Sequence, residues 1–245
     1  MAVQPPPDLV EDPNPEPRAL LPMLRWVAVI GLIAGAVLYS NWLLEIFYTR
    51  TLPDPDLYIS ELSAPDQPHG GWFRGGDQAS AVILLFAAAA ALIGVRSCRW
   101  ARTGWWALGV FALATLLDST VWRLVCAPSS DAGCKAREAS GTVPIGHQLH
   151  WLSSGMGLAA AIASLLAFVI ADRRADTEAL VRHLGTFMLA ALVGTASLTG
   201  VAIIIDETDH VGVIGIAQRA ELVAFAGWLI YVALRTARTP SVRHP

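Results

Sequence analysis

Charge is scarce in this chain. Asp, Glu, Lys and Arg make up 15% of its 245 residues, against about 25% in an average soluble domain. Too few charged groups are present to solvate a water-soluble globule. Lysine is nearly missing: Lys135 is the single example, and arginine carries the positive charge. The net charge of -3 provides no basic footprint for nucleic acid. Several motifs are missing too. There is no Walker loop, dinucleotide fingerprint or haem motif, and without a nucleophile-elbow glycine pattern a serine-hydrolase reading fails. What the chain has is apolar bulk, with 54% hydrophobic residues and a mean hydropathy of +0.50. Disorder requires the opposite balance. A multi-pass membrane protein remains.

Residues 1–22 are polar and hold Pro5, Pro6, Pro7, Pro13, Pro15, Pro17 and Pro22 among the acids Asp8, Glu11, Asp12 and Glu16. Proline at this density predicts a disordered, polyproline-like tail. The first apolar run comes late and stays long, so a cleavable signal is not expected. Six apolar segments follow, at 24–47, 77–95, 105–125, 147–171, 184–205 and 211–234. Each suffices to cross a hydrocarbon core of about 30 Å as a helix. The expected fold is therefore an all-α membrane protein, a six-transmembrane-helix bundle spanning 23–236. A basic cytoplasmic tail, 237–245, follows it.

Arginine sets the orientation. Arg18, Arg25, Arg96, Arg99, Arg102, Arg173, Arg174, Arg182, Arg235, Arg238 and Arg243 all fall on one side. Only Arg50, Arg74, Lys135 and Arg137 fall on the other, among acids running from Asp54 to Asp209. The positive-inside rule places both termini in the cytoplasm. Cys126 and Cys134 then share an outer loop, where an oxidising compartment favours a disulfide, while Cys98 lies inside and stays reduced. The outer loop 48–76 carries Tyr58-Ile59-Ser60-Glu61-Leu62 and then Trp72 and Phe73 among glycines and prolines. That composition predicts structured outer loops forming a cap. Gly31 and Gly35, and Gly94 with its alanines, predict close helix contact. Trp100, Trp105, Trp106 and Trp228 are read as interfacial anchors.

The intramembrane polar residues cluster in the outer half. They are Asn41 and Glu45 on the first segment, Asp118 and Arg123 on the third, His147 and His150 on the fourth, and Arg219 and Glu221 on the sixth. At about 1.5 Å per residue, Asp118 and Arg219 lie at matched depth, roughly 12–14 Å below the outer boundary. An isolated charge there costs roughly 2.5–3.5 kcal/mol on insertion scales. Pairing of Asp118 with Arg219 would offset much of it, either as a structural ion pair or as part of a ligand or proton site. The inner half shows no equivalent set. His147 and His150 share a helix face. With Asp118 or Glu45 they would make a two-His, one-carboxylate zinc site; alternatively they bond loop carbonyls. Ser153 and Ser154 are expected to pack against a neighbouring helix.

Three stretches together resemble a known family. They are Tyr58-Ile59-Ser60-Glu61-Leu62, the run from Cys126-Ala127-Pro128 through Cys134 to Gly146-His147-Gln148-Leu149-His150, and Gly215-Ile216-Ala217-Gln218-Arg219. The chain over 24–238 resembles the domain-of-unknown-function 998 family of prokaryotic six-helix membrane proteins. The resemblance implies a plasma-membrane protein without an established activity, with its polar motifs at Ser60-Glu61, His147, His150 and Gln218-Arg219, all outside. The alanine-rich, arginine-over-lysine composition suggests a high-GC bacterium. Seven-helix ceramidase-like metal hydrolases fit worse, because their last helix carries a paired-His motif and this last helix has no histidine.

The functional expectation is an outward-facing polar cavity for a lipid headgroup or small polar solute, serving as sensor, scaffold or carrier in the bacterial inner membrane. Arg219 and Gln218 would hold an anionic group, Asp118 and Glu45 would balance the charge, and Ser60, Glu61 and Trp72 would form the lid. One alternative is a metal-dependent intramembrane hydrolase of a lipid amide or ester, with His147, His150 and Asp118 holding zinc. A second is a proton-coupled transporter using Asp118 and Glu45. Membrane lipids are the expected partners, and both a homo-oligomer and another membrane protein fit.

Overall fold

The computed structural model describes residues 16–49, 57–209 and 213–239, with the backbone alone at 16–19, 48–49 and 207–209. The described chain is all helical. It contains α1 (Glu16–Tyr39), α2 (Glu45–Thr49), α3 (Gly70–Gly94), α4 (Arg99–Ser119), α5 (Ala132–Ala139), α6 (Ile145–Arg174), α7 (Ala179–Asp209) and α8 (Ile214–Arg238). Single 3-10 turns occupy Asn41–Leu44 and Ile59–Ser63.

Among the described residues, five helices are long and apolar enough to cross a membrane: α1, α3, α6, α7 and α8. The protein is thus a multi-pass membrane protein. The third expected segment corresponds to α4, which is 21 residues long. Its first turns, Arg99-Trp100-Ala101-Arg102-Thr103, lower its average hydropathy, and it does not meet the same criterion.

The six long helices form a closed ring in sequence order. α1 packs on α3, α3 on α4, α4 on α6, α6 on α7, α7 on α8, and α8 returns to α1. Their inner faces follow helical spacing: Ala28, Leu32 and Ala36 on α1, Leu84, Ala88 and Ala91 on α3, Ala161, Leu165 and Phe168 on α6, and Phe225, Leu229 and Val232 on α8 are all buried. Small residues bring the backbones together. A Cβ on Gly31 would lie 2.9 Å from that of Ala87, and the Ser80 hydroxyl donates to the Gly35 carbonyl at 2.9 Å. This close approach is the one expected from the small-residue spacing.

Several boundaries differ from the expected ones. α1 begins at Glu16, inside the proline-rich stretch assigned to 1–22. Pro17 falls in its first turn, where no N–H is needed, while Pro22 forgoes one hydrogen bond. The expected helix 24–47 ends at Tyr39, where Ser40 turns into the 3-10 segment. α4 ends at Ser119, which places Arg123 in the following connection. Residues 1–15 and 240–245 lie outside the described residues. Trp105 and Trp228, expected at the membrane surface, are fully buried instead. Their rings meet Phe168 edge-on at 5.1 Å and Phe111 at 5.0 Å, anchoring the core.

Candidate functional site

A cap closes one end of the ring. Cys126 and Cys134 form a disulfide, with Cα atoms 6.0 Å apart. The bridge ties the first turn of α5 to the connection after α4. Two carboxylates of the first loop grip this connection. Asp66 accepts from the Ala127 amide at 3.1 Å, and buried Glu61 accepts from the Ser129 amide at 3.1 Å and from its hydroxyl. Burial pushes the Glu61 carboxyl above its ordinary range, and the two Ser129 bonds pull it partly back. The Ile59 amide donates to Gln218 Oε1 of α8 at 2.8 Å. Leu62, Phe73 and Trp42 form a small apolar cluster beneath, joined by Leu222.

Below the cap lies a cavity of about 540 Å³, within the range typical of small-molecule sites. Tyr58, Ile59 and Ser60 roof it, and Tyr39, Phe111 and Phe225 line its inner part. The ring centroids of these three stand 5.5 to 5.9 Å apart. Phe111 and Phe225 also pack against Trp228, so an aromatic floor separates the cavity from the other half of the bundle.

Among the described residues, the acidic side chains and histidine lining it are Asp77, Asp118, Glu221 and His150. Asp118 is the hub of one set. His150 Nδ1 lies 3.0 Å from its Oδ1, the Ser153 hydroxyl donates to the same oxygen, and Ser154 donates at 3.3 Å. The aspartate thus sits between serine and histidine. Asp77 accepts from Asn41 Nδ2 at 3.2 Å. Glu221, on α8, faces the Thr199 hydroxyl on α7. Among the described residues no lysine or arginine lines this space.

The expected site residues therefore separate into groups. Asp118, Gln218 and Ser60 line the cavity. Glu61 turns away to Ser129, and Trp72 is 73% exposed. Arg219 pairs at 2.7 Å with buried Glu45, and neither residue lines the cavity. The expected partner of Arg219 was Asp118, which pairs with His150 instead. Side by side in the ring are α1 with α8 and α4 with α6, whereas α4 and α8 are separated by two helices either way round.

The two histidines also separate. His147 is buried; its Nδ1 accepts from the Val125 amide at 3.1 Å, and its Nε2 stands 3.4 Å from Glu138 of α5. It thus fastens the cap while His150 faces the cavity. Among the described residues no three His, Cys, Asp or Glu side chains converge as a metal site. The zinc set of His147, His150 and Asp118 is not assembled.

Two features escaped sequence reading. Asp77 opens the expected segment 77–95, but α3 starts at Gly70, so it lies two turns inside a helix. The half of the bundle away from the cap, expected to hold no equivalent polar set, contains buried Asp172. It accepts from the Tyr231 hydroxyl at 2.6 Å and from Arg235 Nε at 2.7 Å. The four-residue step from Tyr231 to Arg235 places these two donors on one face of α8, which was the available signal.

No curated protein and no solved structure matches the chain. Residues 32–235 match the family described as "Protein of unknown function (DUF998)". That match begins within α1 and ends in the last turn of α8, taking in every helix between them and the whole cap. The chain belongs to the DUF998 family.

Proposed function

We propose that the protein is a ligand-binding protein of the bacterial inner membrane. In this reading six helices cross the bilayer, α4 included, and both termini lie in the cytoplasm. The cap faces outward. Arg99, Arg102, Arg173, Arg174, Arg182, Arg235 and Arg238 gather at the end away from the cap, which suits the cytoplasmic side. A disulfide in the cap suits the oxidising side.

The observation that carries the binding role is the roofed cavity of about 540 Å³ with Asp77, Asp118, His150 and Glu221 in its wall. Polar groups at such depth are costly unless used. The cavity admits a lipid headgroup or a small polar solute. Arg219 pairs with Glu45 and does not line the cavity, so in this reading the ligand does not rest on it. Native mass spectrometry of the purified full chain, incubated with polar-lipid and aqueous extracts of the host, tests the reading. A stoichiometric adduct is expected, lost when Ile203→Trp fills the cavity. Absence of any adduct from both extracts counts against it.

Proton-coupled transport is a second reading, supported by Asp172, Tyr231 and Arg235 beyond the aromatic floor. It requires the floor of Phe111, Phe225 and Trp228 to part. Proton flux into liposomes that is abolished by Asp118→Asn would favour it over simple binding.

A further inference from the structure

The cavity's chemistry narrows its ligand, and its walls show how the ligand gets in. Among the described residues three carboxylates, Asp77, Asp118 and Glu221, line it, and the one cationic candidate beside them is His150, which is already on Asp118. Glu221 is 8% exposed and forms no ion pair among the described residues. Tyr39 stands within electrostatic reach of all three carboxylates. With Phe111 and Phe225 it presents ring faces and edges at centroid spacings of 5.5 to 5.9 Å. Acids beside aromatic walls suit a positively charged amine, and a quaternary ammonium above all. An anion would be repelled. Trp42, 8% exposed, also lines the cavity, and its indole N–H has no acceptor among the described residues. It would donate to an oxygen of the ligand.

The second observation concerns the seam between α6 and α7. Ser154 and Gly155 on α6 and Gly200 on α7 line the cavity, yet all three are exposed. A Cβ built on Gly155 or Gly200 would meet nothing within 4 Å, so the helices do not close over the cavity there. Both glycines lie about 14 Å along the helix from the capped ends of α6 and α7, at 1.5 Å per residue. That depth is within the hydrocarbon layer. The opening therefore faces lipid tails rather than water.

We propose that the cavity takes an amphiphile with a protonated or quaternary amine head, seated between Asp77 and Glu221 against Tyr39, Phe111 and Phe225, while its tail leaves between α6 and α7. The inference rests on the ligand-binding reading and adds both the charge of the head and a lateral route. A free ammonium solute shares the head chemistry but needs no seam.

The test uses the full chain in dodecyl maltoside with three probes, dodecyltrimethylammonium, dodecyl sulfate and choline, read by native mass spectrometry. One dodecyltrimethylammonium per chain is expected, with neither of the others retained. Retention should fall about tenfold in Glu221→Gln, the scale of one lost charge contact. It should also fall in Gly155→Leu and Gly200→Trp, which obstruct the seam from opposite helices into open space; thermal melting verifies that each is folded. Equal retention of dodecyl sulfate overturns the amine head. Choline held as tightly as the amphiphile, with both seam variants unaffected, overturns the lateral route and leaves the ligand-binding reading intact. Failure to retain any probe overturns the inference, while the extract experiment separately decides the broader reading.

Discussion

Arg219 and Glu45 occupy ground where neither is tolerable alone. The carboxylate is 4% exposed and the guanidinium side chain 13%. Removing one member of such a pair leaves a buried charge, so Arg219→Ala should cost about 3 kcal/mol. The measure is thermal or denaturant unfolding in detergent. Glu45→Gln combined with Arg219→Gln should recover much of the loss, because neither member of this pair then keeps a buried charge without the other. Glu61 makes a different residue-scale prediction. Its folded pKa lies above the ordinary value of 4.5, so the folded state holds a proton that the unfolded state releases. Stability from this group is full below the ordinary value and declines as pH rises toward the raised one. Hydrogen exchange at the Ser129 amide, corrected for intrinsic rate, should therefore quicken over that window and level off above it. Glu61→Gln should remove the dependence.

At the scale of elements, the disulfide and the Glu61 clasp join two loops into one cap. Replacing Cys126 and Cys134 with alanine should cost about 2 kcal/mol. It should raise hydrogen exchange at 126–139 and, through Ser129 and Glu61, at 57–63 as well. Exchange rising in the first stretch alone would mean that the loops act independently. The long helices were legible because apolar runs of this length have few other uses. The disulfide was legible because its cysteines share one loop. Partners across helices were not. Depth along the membrane follows from counting residues, so Asp118 and Arg219 could be matched in height. Direction around the ring depends on which helices are neighbours, and that sent Asp118 to His150 and Arg219 to Glu45. Helix ends were misplaced for a similar reason: Gly70 to Gly76 is too polar to count as a span, yet it continues α3 by two turns and carries Asp77 inward.

At the scale of the whole molecule, the proposed orientation is tested at Cys98. This exposed, unbridged thiol sits between α3 and α4, at the end opposite the cap. In intact cells a membrane-permeant maleimide should label it and an impermeant one should not. Equal labelling by both would invert the topology and turn the cap toward the cytoplasm.

The ring is also closed at its own ends. Arg25 of α1 reaches the Thr239 carbonyl just past α8 at 2.6 Å, so the first long helix and the last are stitched together. Such a bundle has no intrinsic beginning. A permuted gene that fuses the end of α8 to the start of α1 and opens the short turn between α6 and α7 would keep every neighbour in place. It would alter only the order in which the helices leave the ribosome. In the order of this chain, the side of α1 that packs on α8 has no partner until α8 is made, although α3 already covers its other side, so the ring cannot close before then.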